Sequence, residues 1–246
     1  MADQAHLSIV IPTLNERDNL RLVIPALLET LRALALRGEI LVIDGGSSDG
    51  SAAEAELQGA RLIVVASGGY GEAMRQGLHA AAGEYVVTMD ADLSHEPEVI
   101  GALWAARAPR TIGIASRYVK GGTAVMSRSR WVLSRLLSAV FSRGLALPVR
   151  DLSSGFRIYP AAEARQLRAT ANDFDILIEL LVRAHKSGWR IVEVPFHYAP
   201  RRSGSSKARV IRLGRAYIAT FARLWRLRNT APGAPPPEAP AALTRP

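Results

Sequence analysis

The sequence predicts an α/β fold, a mostly parallel sheet flanked by helices, and two observations carry that prediction. Short apolar or β-branched runs recur along the first 200 residues, separated by stretches of about 10–20 residues with helical periodicity. Strands spaced in this way mean βαβ units, whose crossovers require parallel pairing. The second observation is that polar and glycine-rich residues gather directly after the strands, where open parallel sheets bind their ligands.

In chain order the predicted strands are Leu7–Ile11, Glu39–Ile43, Arg61–Val65, Tyr85–Met89, Thr111–Ala115 and Arg190–Val194. Helical patterns lie near 17–37, 50–58, 71–82, 96–107, 127–143 and 174–187. Pro25 should either kink the first helix or shift its start. The chain then divides into a catalytic unit over 1–207, a basic helix over 208–228 and a tail over 229–246. That tail holds six of the fourteen prolines among alanines, and is expected to be extended and disordered.

The composition, 246 residues with 48% hydrophobic and 22% charged, is that of a globular chain able to bury a full core. The absence of cysteine excludes thiol catalysis and thiolate metal sites. The first six residues lack a basic region, and Leu7–Ile11 is too short for a signal-peptide core. No stretch is apolar enough to span a bilayer, because Leu20–Leu36 is broken by Arg21, Glu29 and Arg32.

The formal charge of +9 is unevenly placed. Residues 1–200 balance at 21 basic and 21 acidic side chains, whereas 201–228 carry nine basic ones and no acid. Within the balanced part, 1–116 has 8 basic against 15 acidic, and 117–157 has 8 against 1. This pattern suits an anionic ligand held between a metal-binding acidic lip and a cationic one, or an anionic surface near the C-terminal end. Nucleic acid is a generic alternative, weakened by an aromatic content of 6%, low for a base-stacking surface.

Asp90-Ala91-Asp92 closes the fourth strand. Carboxylates at i and i+2 of a strand point the same way and can share one hard cation that also binds diphosphate oxygens; a turn with a helix cap is the competing explanation. Asp44 closes the second strand before a Gly/Ser-rich turn. Gly68-Gly69-Tyr70-Gly71 fits neither a Walker loop nor a dinucleotide fingerprint, and is expected to be a tight turn into a helix. The five histidines show no metal-ligand spacing, and Ser153-Ser154-Gly155 is no nucleophile elbow.

Six blocks together resemble a known family. Ile9 to Glu16, Val42 to Gly50 and Met89 to His95 are similar to family 2 glycosyltransferases with a GT-A (Rossmann-like) fold. Ser116-Arg117-Tyr118, Val149 to Arg157, and Glu193-Val194-Pro195 leading to Arg201-Arg202-Ser203-Gly204-Ser205-Ser206-Lys207 narrow the resemblance to polyprenyl-phosphate (dolichyl-phosphate) mannosyltransferases.

The resemblance implies an inverting transfer of a hexose from a nucleotide sugar, mannose from GDP-mannose, to a polyprenyl phosphate. UDP-glucose or another donor is the close rival; an anionic-surface or nucleic-acid binding module is the rival of another class. By the resemblance, Pro12, Leu14, Glu16, Ile43 and Asp44 line the base and ribose pocket. Asp90, Ala91 and Asp92 face the diphosphate, and Asp90, Asp92 and Ser94 hold Mg²⁺ or Mn²⁺. Arg117 meets the donor diphosphate or the lipid phosphate, Arg130 and Ser134 take the acceptor phosphate, and Arg201 and Lys207 close over the phosphates. Asp92, Arg117, Arg201 and Lys207 form the implied catalytic set.

The chemistry agrees. Departure of a nucleoside diphosphate builds negative charge that a divalent cation and Arg/Lys offset, and a phosphate acceptor is already anionic, so no strong general base is needed. Asp151 and Arg157 are expected to form a structural ion pair beside the site.

A helical wheel places Val210, Gly214, Tyr217, Phe221 and Leu224 on one face, with Ile211, Ile218 and Trp225 beside them and Arg209, Arg212, Arg215, Arg223 and Arg226 opposite. Such a helix either lies in an anionic membrane surface or packs on the catalytic unit. The chain is therefore expected at the cytoplasmic face of a membrane, attached peripherally or through an anchoring partner.

Overall fold

The computed structural model describes residues 5–65, 67, 69–198 and 213–230, with the side chains of the last stretch described from residue 218. The strands are β1 (Leu7–Thr13), β2 (Gly38–Asp44), β3 (Arg61–Val64), β4 (Tyr85–Thr88), β5 (Thr111–Ser116), β6 (Thr123–Ala124), β7 (Arg157–Pro160), β8 (Arg190–Pro195) and β9 (His197–Tyr198). The helices are α1 (Arg17–Ala33), α2 (Ser51–Leu57), α3 (Gly69–Ala80), α4 (Val99–Ala105), α5 (Arg128–Gly144), α6 (Ala161–Ala164), α7 (Ile176–Lys186) and α8 (Leu213–Asn229). All six expected strands and the six expected helices are present. Pro25 neither delays α1 nor ends it; the helix begins at Arg17 and carries the proline on its exposed side.

Seven strands form one sheet in the order β3-β2-β1-β4-β7-β5-β8. The central strands are buried on both faces, and their side chains alternate between two cores. Ile9, Ile11 and Val87 enter one core with α1 and α4, while Val10, Leu41 and Val86 enter the other with α3 and α7. This is the mostly parallel, helix-flanked sheet of the GT-A fold.

The one strand that departs from the parallel pattern decides the site. β7 runs antiparallel between β4 and β5, pairing Thr88 with Arg157 and Gly113 with Ile158. Reversal means that β7 starts where its neighbours end, so residues 150–156 are delivered to the carboxyl edge of the sheet. The pattern of hydrophobicity hides it, since Arg-Ile-Tyr-Pro opens on a charge and closes on a proline tolerated only at a strand end. Arg157 is nevertheless fully buried, its guanidinium donating to the carbonyls of Ser154 (2.7 Å), Leu152 (2.7 Å) and Leu177. The expected Asp151–Arg157 pair is therefore corrected: three peptide oxygens, not a carboxylate, compensate this buried cation.

α8 packs on the body. Leu224 and Leu227 are buried, and Phe221 meets Phe141 edge-on at 5.2 Å, over Gly144, where a Cβ would stand 2.4 Å from its ring. Arg223, which the helical wheel sets opposite the aromatic face, donates to Glu179 (2.8 Å) and Asp175 (2.8 Å) of the α7 region. Lys186 reciprocates by donating to the carbonyl of Leu227 at 2.8 Å. Residues 208–212 and 231–246 of the expected helix and tail lie outside the described residues.

Burial alone would raise the Glu179 pKa, but Arg223, the Thr170 N–H and Arg183 together hold it below the ordinary 4.5. A depressed carboxylate stabilises the fold above its unfolded value, and that contribution is lost as pH falls through the folded value. Glu179→Gln should cost about 3 kcal/mol at pH 7. In urea titrations the gap between wild type and variant should close as pH is taken progressively below 4.5.

Candidate active site

The expected site residues converge on the carboxyl edge of the sheet, beginning at the ends of β1 and β2, where Thr13 pairs with Asp44. The turn after β2 laces the two strand ends together. Asn15, at φ 55°, donates its N–H to Ser47 Oγ (2.8 Å) and accepts from the Ser48 N–H (2.9 Å). The Glu16 N–H donates to Ser51 Oγ at 2.9 Å, and the Arg17 N–H to Asp49 at 3.1 Å. Burial would raise the Asp49 pKa, but hydrogen bonds from Ser51 and Arg17 outweigh it and keep the carboxyl below its usual range. Ser47 donates its N–H to the buried Asp44 carboxylate at 3.0 Å.

Of the implied base-and-ribose set, Leu14 is exposed, Pro12 and Glu16 are half-buried, and Asp44 lies beneath them. The Ile43 side chain is closed inside the core, so it would face a ligand through its backbone.

β4 ends at Thr88, so Asp90 and Asp92 do not lie on a strand and strand alternation is not what aims them. They sit in the following bend, with Leu93 at φ 61° turning the chain. Asp90 is half-buried and Asp92 is buried, as is Ala91. Asp92 accepts the Ser94 N–H at 3.1 Å and the Ser94 hydroxyl, so Ser94 braces the carboxylate.

Two neighbours of Asp90 lie inside motifs noted above but had no role assigned from the sequence. His95 is buried, stacked on Phe156 at 4.9 Å and edge-on to Phe196 at 5.7 Å. Its Nδ1 accepts the Asp90 N–H at 3.0 Å, which places the ring proton on Nε2, 3.9 Å from the Asp90 carboxylate. Burial pulls the His95 pKa down against the opposing pull of Asp90 and Asp92, so the ring is a neutral brace. On the other side, a Cβ on Gly155 would stand 3.1 Å from Tyr70 Oη and 3.4 Å from Asp90 Oδ1.

Tyr70 stacks on Phe174 at 4.3 Å, and burial, reinforced by Asp90, raises its pKa and keeps it a neutral phenol. The glycine-rich segment does turn into a helix, as expected, and it also carries this site residue. Gly71 is obligatory there, because a Cβ would meet the Ala171 carbonyl at 2.1 Å.

Arg117 follows β5 and is held by the fully buried Asp151, which accepts from its N–H (3.0 Å), Nε (2.7 Å) and Nη2 (2.7 Å). Burial would lower the guanidinium pKa, but Asp151 more than offsets it and the group is permanently charged. Asp151 is fixed in turn by Glu193, whose carboxylate accepts the N–H groups of Arg150 and Asp151, both at 2.9 Å.

Next to Arg117, Tyr118 donates its hydroxyl to Ser134 of α5 at 2.8 Å. Ser127 caps α5 by accepting from the Arg130 N–H, and the Arg130 side chain is exposed one turn before Ser134. Arg201 and Lys207 lie outside the described residues.

Comparison with known proteins places this geometry. Residues 8–162 match the model of Glycosyl transferase family 2, and the chain belongs to that family. It is 34% identical over 214 residues to a dolichol-phosphate mannosyltransferase of Pyrococcus furiosus, covering 82% of this chain but only 58% of that relative. An uncharacterised glycosyltransferase of Mycobacterium tuberculosis is 32% identical over 82% of this chain and 88% of its own length. Among solved structures, glucosyl-3-phosphoglycerate synthase from M. tuberculosis, in complex with Mn²⁺, UDP and glucosyl-3-phosphoglycerate, superposes with a TM-score of 0.68. The two are 22% identical, over 90% of this chain and 80% of that one. The shared fold is the GT-A fold.

Asp151→Asn would leave the Arg117 guanidinium buried without its counter-charge, and should lower stability by about 3 kcal/mol in urea unfolding.

Proposed function

We propose that the chain transfers a hexose, mannose from GDP-mannose, to a polyprenyl phosphate with inversion at the anomeric carbon. The observation that carries this reading is the meeting of an acidic turn and a cationic wall at one edge of the sheet. Asp90 and Asp92 stand in the segment after β4, Arg117 follows β5 at the same edge, and the next residue, Tyr118, donates to Ser134. The dolichol-phosphate mannosyltransferase relative supports the choice of sugar and lipid.

In this proposal Asp90 and Asp92, with Ser94 behind Asp92, hold Mg²⁺ or Mn²⁺. An all-oxygen donor set suits a hard divalent cation. Among the described residues no group of three or more His, Cys, Asp or Glu could hold a metal ion by itself; in this proposal oxygens of the donor diphosphate would join Asp90 and Asp92. Such an ion offsets the charge that develops on the leaving diphosphate.

The protein's own groups do the positioning. Pro12, Leu14, Glu16 and Asp44 receive the base and ribose, and Ala91 adds backbone beside the diphosphate. Arg117, Arg130 and Ser134 orient the acceptor phosphate; Arg201 and Lys207 close over both phosphates. Because Asp151 takes two of the Arg117 nitrogens, Arg117 acts as a fixed post and Arg130, on the helix surface, as the adaptable cation. The phosphate attacks as an anion from the far side of the sugar, so no protein nucleophile is required.

A lipid acceptor places the enzyme at a membrane, in this proposal peripherally on the cytoplasmic face. No helix among the described residues is long and apolar enough to cross one.

Incubating the purified chain with polyprenyl phosphate and either GDP-mannose or UDP-glucose tests the reading. Lipid-linked mannose is the expected product; glucose transfer alone would reassign the donor, and no transfer from either would overturn the proposal. Asp92→Asn should lower kcat/KM by at least about 10²-fold with the fold intact by circular dichroism. Gly155→Ala, by crowding Asp90 and Tyr70, should raise the Mn²⁺ concentration needed for half-maximal rate with the fold intact by circular dichroism.

A further inference from the structure

On the face of the sheet away from α1, a cavity of about 270 Å³ opens between α3, the chain that follows α6, and α7. Its floor is apolar, since Leu78, Ala164, Ala169, Ile176 and Leu180 are all buried. Its rim is cationic: Arg75, Arg165 and Arg168 stand around it with His79, and Glu72 is the one carboxylate among them. None of these residues belongs to the implied donor or acceptor sets.

The three arginines are held in different ways, and that difference points to a ligand. Arg75 is engaged on every side, donating to Glu72 (2.9 and 2.6 Å), to the Ala171 carbonyl (2.5 Å) and to Asn172 Oδ1 (3.0 Å). It therefore takes up the only carboxylate of the rim. Arg165 donates to the carbonyls of Leu78 (3.3 Å) and Ala81 at the end of α3, which fix the guanidinium without supplying a counter-charge. Arg168 follows the 3₁₀ turn Arg165–Leu167 in the left-handed conformation, at φ 46° and ψ 46°. Among the described residues it makes no hydrogen bond or ion pair.

We propose that this cavity is a second anion site, apart from the active site, that takes the phosphate monoester of a small organic molecule. The phosphate lies between Arg165 and Arg168, and the organic part rests on the apolar floor. Charge selects the headgroup: three guanidiniums against one carboxylate leave an excess of two positive charges, and a phosphate monoester carries nearly two negative ones near neutral pH. Arginine forks also match phosphate oxygens in geometry. The volume is just below the usual range for small-molecule sites, which suits a compact ligand.

The cavity has a physical route to the active site. The segment whose oxygens hold Arg75 also accepts the Gly71 N–H on the Asn172 carbonyl at 3.0 Å, and its Phe174 stacks on Tyr70 at 4.3 Å. In this proposal a bound phosphate closes that segment against α3, on which Tyr70 stands beside Asp90. The inference makes no use of the donor or acceptor assigned above.

Calorimetric titration of the full chain, free of donor and metal, tests it with phenyl phosphate, inorganic phosphate and phenol. Phenyl phosphate should bind best, inorganic phosphate more weakly and phenol not at all, and added salt should weaken both anions. Arg168→Gly removes one guanidinium at a backbone conformation that glycine adopts freely. The variant should keep its melting temperature and bind phenyl phosphate about tenfold or more weakly. Arg130→Ala, at the proposed acceptor-phosphate position, should leave that affinity unchanged. Phenyl phosphate should also slow amide hydrogen exchange over 69–76 and 165–175 in the wild type, and not in Arg168→Gly.

An Arg168→Gly variant that binds phenyl phosphate as the wild type does would overturn the inference, as would a wild type that binds no phosphate. Loss of binding on Arg130→Ala, or exchange slowed only over 90–95, would assign the anion to the active site and overturn it equally.

Discussion

Asp151 is the group on which the site's order depends. Its carboxylate is fully buried, so it is tolerated only because donors meet it: the Arg117 backbone N–H and two nitrogens, Nε and Nη2, on one edge of the Arg117 guanidinium. Those contacts join the end of β5 to the segment before β7. Glu193 on β8 fixes the same segment from its own side by accepting two consecutive peptide N–H groups. Three pieces of chain distant in sequence are thereby locked at one edge of the sheet, and the cation that results stands at a defined height above the strands.

The antiparallel β7 is what makes that lock possible. A sheet of parallel strands alone delivers to its carboxyl edge only the loops that leave strands. Reversing one strand also delivers the loop that enters it, and residues 150–156 bring Asp151, Ser153 and Gly155 to the face that already holds Asp90. Arg157 then staples the incoming loop to α7 through three peptide oxygens. Gly155 and Thr88 complete the arrangement, Thr88 donating to the Gly155 carbonyl at 2.7 Å, so that Asp90 has glycine on one side and the His95 ring on the other.

Much of this was legible in the residues. Central parallel strands buried on both faces leave unbroken apolar runs, and the edge strands β3 and β8 keep short β-branched ones, which is why the six strands from Leu7 to Val194 and the helices between them can be read directly. β7 was not legible, because its opening side chain is a cation whose compensation comes from carbonyls with no sequence signature. His95 and Tyr70 were missed for a related reason: the features that matter are a stack on Phe156 and a close approach to Gly155, both formed between segments some 60 to 85 residues apart. The basic helix illustrates the opposite error. A wheel can separate arginines from aromatics, but it cannot show that Glu179 and Asp175 lie where Arg223 arrives.

The formal charge of +9 thus sorts into two populations with different physical meaning. Arg117, Arg157, Arg183 and Arg223 are held within the body, each in a fixed position by a carboxylate or by peptide carbonyls. Arg128, Arg130, Arg135 and Arg143 stand exposed on one helix, among aliphatic side chains that face the same way and without an acid nearby in sequence. Burial of an arginine in this protein requires fixed acceptors, as Arg157 shows with three peptide carbonyls. In the proposed reaction the exposed population supplies the adaptable cation: Arg130, on the surface of α5 one turn before Ser134, can reorient toward an acceptor phosphate, whereas Arg117 stays fixed on Asp151.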